Sequence, residues 1–114
     1  MVSNQTQRVA IVNGFAMSML RNPERAVVEF RRLSVEEVRQ ILQNSVVENY
    51  VRHPGTVAVL NQIAQGLTPN SGLYTYNGER VILVALTTPP RGQEVATPRL
   101  EDLVIYEVIV HTLE

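Results

Sequence analysis

His53 is the side chain in this sequence best suited to chemistry near neutral pH. It stands in Arg52-His53-Pro54-Gly55-Thr56, where an apolar stretch hands over to the helix-like run Val57-Ala58-Val59-Leu60-Asn61-Gln62-Ile63. An unperturbed imidazole changes charge in the range a general acid or base needs. The helix start beside it promises free backbone N–H groups and a partial positive charge, a combination that suits a phosphate. The other histidine, His111, lies three residues from the C-terminus and reads as inert.

Other chemistries find less support. The chain has no cysteine, no HExxH and no GxSxG elbow, and Asp102 is its one aspartate. A Ser/His/Asp triad therefore has no basis. Two histidines 58 positions apart among scattered glutamates do not make a metal site, so no metal or cofactor is expected. There is neither a P-loop nor a GxGxxG fingerprint. What remains beside His53 are loops of small residues: Asn13-Gly14, Pro54-Gly55-Thr56 and Arg91-Gly92. Each could turn backbone amides toward a phosphate, and each is equally compatible with an ordinary turn.

The elements that must position these residues follow from periodicity. Residues 8–12 read as a short buried strand, broken by Asn13-Gly14, with a short helix or tight turn over 15–20. Residues 26–33 read as an amphipathic strand. Ser34 and Glu37 form a capping-box pattern opening a helix that carries Val35, Val38, Ile41 and Leu42 on one face and ends near Asn44. Residues 46–51 suggest a strand. Pro54 fits the first turn of a second helix, which buries Val57, Leu60 and Ile63 and stops at Gly66. Residues 73–76 and 80–86 flank Asn77-Gly78, a strong hairpin signal. Residues 87–94 are too rich in proline and glycine for regular structure. Thr97-Pro98 starts a short helix, and residues 104–110 form a last strand.

The expected fold is one α+β domain over residues 1–114, a mixed sheet flanked by short helices. The unbroken apolar runs at 81–86 and 104–110 suggest central strands covered on both faces. With few helices available, one face could be finished by a second copy of the chain, so a homodimer is expected. Net charge is −1, which argues against binding long nucleic acid, although all ten basic residues are arginine, the better bidentate phosphate ligand. No apolar run approaches the roughly 20 residues of a membrane span, and the first residues do not read as a secretory signal. A cytoplasmic location is the default.

Three segments resemble one family. Asn13-Gly14-Phe15-Ala16-Met17-Ser18-Met19-Leu20 is similar to the N-A-F-S-x-x-M-L opening of the small viral anti-CRISPR ring nucleases. Val51-Arg52-His53-Pro54-Gly55-Thr56-Val57 resembles their I-G-H-x-x-T-A, and Glu79-Arg80-Val81 through Thr88-Pro89-Pro90-Arg91-Gly92 resembles E-K-A-L … R-P-P-E-G-K. The order and spacing match across nearly the whole chain. The resemblance implies a homodimer that binds cyclic tetra-adenylate in a symmetric pocket and cleaves it without metal. In that mechanism a ribose 2′-hydroxyl attacks the adjacent phosphorus, and the histidine matched by His53 protonates the departing 5′-oxygen. It also implies that Asn13, Gly14, Ala16, Ser18, Gly55, Thr56, Thr88 and Arg91 line the ligand. Four positions depart from the family pattern: Ala16 replaces a serine, Thr88 an arginine, Arg91 a glutamate and Arg52 a glycine. Arg91 or Arg52 could supply the missing cation. Two alternatives stay open, a non-catalytic sponge or sensor for a cyclic nucleotide and a structural or regulatory dimer.

Overall fold

The computed structural model describes residues 7–21, 23–70, 72–86 and 99–113. Five strands form one mixed sheet: β1 (Gln7–Val12), β2 (Arg25–Leu33), β3 (Ser45–Asn49), β4 (Arg80–Leu86) and β5 (Leu103–Leu113). Their spatial order is β2-β5-β4-β1-β3. β1 pairs in parallel with both β3 and β4, while β5 runs antiparallel to β4 and β2. The two uninterrupted apolar runs are thus central strands, as their composition predicts.

Two helices, α1 (Val35–Gln43) and α2 (Pro54–Leu60), cover one face. The Ser34 hydroxyl accepts the Glu37 amide at 3.1 Å, and the Glu37 carboxylate accepts the Ser34 amide at 2.9 Å, so the predicted capping box opens α1. This reciprocal bonding also holds the Glu37 carboxyl below its ordinary range. Val38 and Leu42 of α1, with Val57 and Leu60 of α2, pack on Val9, Ile11, Ile82, Val84 and Ile105 of the sheet. Burying such side chains contributes roughly 1.5–3 kcal/mol each, and this face holds the larger core.

The opposite face is closed differently. Its smaller core, Ala10, Val12, Tyr74, Val81 and Val108, is roofed by Phe15, Met19, Tyr50 and Tyr76. A short 3-10 turn, Met17–Met19, and the segment 73–76 supply most of that roof. Segment 73–76 is not the first arm of a hairpin, contrary to the alternation of its residues. Asn77-Gly78 does turn the chain, with Gly78 at φ +88°. The Tyr76 amide bonds the Met19 carbonyl at 2.8 Å rather than β4, so the segment crosses the sheet face instead of extending it. Its aromatic residues explain the choice: Tyr74 is buried against Tyr50, with ring centroids 5.0 Å apart. Helix α2 also ends earlier than its pattern suggests, at Leu60 rather than Gly66, although Ile63 still reaches the core. The helix expected to open at Thr97-Pro98 is a 3-10 turn at Leu100–Asp102; Thr97 and Pro98 lie outside the described residues.

Candidate functional site

Three parallel strands, β3, β1 and β4, point the same way, and open sheets tend to bind ligands off the carboxyl ends of such strands. Asn13 and Gly14 follow β1 at that edge. Val51-Arg52-His53 follows β3 beside them, tied by the Tyr50 amide, which donates to the Ile11 carbonyl at 2.8 Å. β4 ends at Leu86 on the same edge. Thr88 and Arg91, expected to continue from there, lie outside the described residues. The strand register therefore brings Asn13, Gly14, His53, Gly55 and Thr56 to one edge of the sheet.

The approach to His53 is held firmly. Val51 is fully buried, and its carbonyl accepts the Asn49 side-chain amide at 3.0 Å and the Asn70 amide at 3.1 Å. Asn49 also reaches the Thr68 carbonyl at 2.8 Å, and Asn70 returns a bond to the Asn49 carbonyl at 2.9 Å. Asparagine side chains thus clamp residues 49–51 to residues 68–70. The sequence marks 68–72 as a loop through its Pro, Asn and Gly, but composition carries no signal for which backbone groups those asparagines reach.

His53 and Arg52 are exposed, whereas Thr56 is buried. His53 is the N-cap of α2: its Nδ1 accepts the Thr56 amide at 3.3 Å, and the Thr56 hydroxyl lies 3.4 Å from the same nitrogen. This corrects one expectation. The start of α2 offers fewer free amides than the sequence suggests, because Pro54 has none and Thr56 gives its own to His53. Gly55 keeps the one first-turn amide without a partner among the described residues. An accepting Nδ1 leaves the ring proton on Nε2 in the neutral form.

Asn13 is exposed, and a Cβ at Gly14 would meet nothing within 4 Å, so this turn is open to solvent rather than closed by packing. Ala16 is exposed at the start of the Met17–Met19 turn. Ser18 lines a groove of about 700 Å³ on the second face with Phe15, Met17, Ala26, Val28 and Phe30, and His53 is not in its wall. Within a single chain, the described residues do not enclose His53 and Ser18 in one pocket. Met17 is 84% exposed and Phe30 50% exposed at this groove.

Two charged clusters flank these features. On the second face Glu48 bonds both Arg8 and the Tyr50 hydroxyl, and the Arg8 guanidinium foremost holds the Glu48 carboxyl below its usual range. On the helical face Glu107 accepts Arg80 at 2.8 and 3.2 Å and Arg31 at 2.8 Å. Among the described residues no three His, Asp or Glu side chains gather as a metal site would need, and no helix is long and apolar enough to cross a membrane.

No curated protein matches the chain. Among solved structures, B116 of Sulfolobus turreted icosahedral virus superposes with a TM-score of 0.63 at 18% identity, over 89% of this chain and 97% of that one. At that identity the likeness speaks for the fold alone. The family described as STIV B116-like matches residues 9–106, nearly the whole α+β domain, and the chain belongs to that family of viral type.

Proposed function

We propose that this protein is a metal-independent ring nuclease that opens cyclic tetra-adenylate and so silences type III CRISPR signalling. The observation that carries the reading is the exposed imidazole of His53, set at the carboxyl edge beside Asn13-Gly14 and in the sequence context of the ring-nuclease histidine. The 2′-hydroxyl of one ribose attacks the neighbouring phosphorus and its proton leaves to solvent. The bond from phosphorus to the 5′-oxygen breaks, and that oxygen takes a proton from Nε2 of the His53 imidazolium. Repeated at the opposite phosphate, the step yields two linear di-adenylates ending in 2′,3′-cyclic phosphates. Asn13, Gly14 and the Gly55 amide border the phosphate, and in-line geometry supplies much of the remaining acceleration.

A second copy of the chain completes the pocket in this reading. The half-covered second sheet face supports it, with Met17 and Phe30 exposed around a mainly apolar groove. The test is His53→Ala against labelled cyclic tetra-adenylate: binding is expected to persist while cleavage is lost. Loss of both, or of neither, refutes the assignment.

A second reading, a sponge that binds without turnover, is favoured by two features. Ala16 stands where ring nucleases carry a serine, and the Thr56 amide is already engaged. Wild-type protein that retains the nucleotide intact would establish it.

A further inference from the structure

A histidine that donates a proton from Nε2 needs its other nitrogen held in every protonation state, and such rings are normally oriented through Nδ1 by a carboxylate or a carbonyl. Among the described residues no carboxylate pairs with His53; Arg52, its sequence neighbour, is the nearest charge along the chain. The groups that meet Nδ1 both belong to Thr56: the amide at 3.3 Å and the hydroxyl at 3.4 Å.

These two groups differ in what they can do. The amide can only donate, so it serves the neutral ring with a bare Nδ1. The hydroxyl can donate or accept. We propose that Thr56 is the positioning residue of His53, its amide orienting the resting ring and its hydroxyl accepting the Nδ1–H of the charged ring. This deepens the nuclease reading and rests on it for its catalytic consequence. In the imidazolium both nitrogens carry hydrogen, and Nδ1–H turns from the amide to Oγ1 of Thr56. Donation from Nε2 to the leaving 5′-oxygen leaves a neutral ring with its hydrogen still on Nδ1, still accepted by Oγ1. Solvent then reprotonates Nε2. Without the hydroxyl the charged ring would set Nδ1–H against the Thr56 N–H, donor facing donor, and would swing out of line.

The burial of Thr56 fixes this geometry, since the residue is 6% exposed and anchored in the first turn of α2. Thr56→Val keeps shape and amide and removes the hydroxyl; Thr56→Ser keeps the hydroxyl. Nitrogen-15 spectra of the ligand-free protein read the ring directly. The neutral wild-type ring is expected to carry its proton on Nε2. On acidification, a hydrogen-bonded, slowly exchanging Nδ1–H is expected in wild type and Thr56→Ser and lost in Thr56→Val. Turnover of cyclic tetra-adenylate should fall about 10-fold or more in Thr56→Val at unchanged KM, the size of one hydrogen bond to a charged group, and recover in Thr56→Ser. A neutral wild-type ring protonated on Nδ1, or an Nδ1–H equally protected in Thr56→Val, overturns the assignment. Because the spectra need no ligand, the expected ring behaviour in a protein that leaves the nucleotide intact would refute the nuclease reading and uphold the role of Thr56.

Discussion

The hydroxyl of Tyr74 donates to Glu79 Oε1 at 2.7 Å, across the Asn77-Gly78 turn. The same oxygen accepts the Asn77 amide at 2.7 Å. Burial first, and the adjacent carboxylate second, push the Tyr74 phenol far above its ordinary range, so it remains a donor at any physiological pH. One carboxylate oxygen therefore fastens both the turn and the segment roofing the second sheet face. Tyr74→Phe is expected to cost about 1 kcal/mol, the net worth of one such bond. It should also speed hydrogen exchange at the Tyr76 amide, which bonds the Met19 carbonyl. Urea titration with exchange measurements checks both.

Glu107 joins three strands through Arg80 and Arg31. Burial alone would raise its pKa, but the two guanidiniums outweigh burial and hold the carboxyl below its ordinary value of 4.5. A carboxylate whose folded pKa is depressed stabilises the fold above its unfolded pKa and loses that contribution as pH falls through the folded one. Wild-type stability should therefore fall more steeply below about pH 4.5 than that of Glu107→Gln. At neutral pH the variant should be about 1–2 kcal/mol less stable, a buried-pair loss discounted because the Arg31 side chain is 54% exposed. Thermal melts across pH decide this.

His53 both caps α2 and, in our reading, delivers the proton, and two variants separate the roles. Asparagine is a favoured N-cap, alanine a poor one. His53→Asn should keep the wild-type melting behaviour within error, while His53→Ala loses about 0.5–1 kcal/mol. Both should slow cleavage by ~10²–10⁴-fold, the usual worth of a general acid. A His53→Asn protein that cleaves at the wild-type rate would remove His53 from the chemistry.

The groove between the Met17–Met19 turn and β2 predicts self-association. Phe30→Glu places a charge where a partner's apolar surface would sit. Sedimentation velocity is expected to show a dimer for the wild-type chain and a monomer for Phe30→Glu, with little change in the monomer's stability because Phe30 is 50% exposed. A wild-type monomer at high concentration would remove the groove as an interface.

Much of the framework was legible from sequence because local signals and burial agreed. Ser34 and Glu37 announced α1, and the apolar runs of β4 and β5 announced central strands. Segment 73–76 misled because alternating aromatic residues satisfy a strand pattern equally well when they roof a sheet face. Its partner is the Met19 carbonyl, a non-local contact that periodicity does not encode. At the site, His53 and its helix were recognisable through Pro54 and the apolar spacing beyond it. The engagement of Nδ1 by Thr56 was not, since residue type alone does not say which of several donors a ring nitrogen meets. Ser18, which the resemblance groups with His53 around a ligand, lines the groove beside β2 within one chain.

The most direct test of the central claim is to incubate the purified protein with radiolabelled cyclic tetra-adenylate in excess EDTA and resolve the products. Linear di-adenylate with a 2′,3′-cyclic phosphate end, formed by wild type and ~10²–10⁴-fold more slowly by His53→Asn, is the predicted result. Cyclic tetra-adenylate recovered intact after prolonged incubation with wild-type protein would contradict the account.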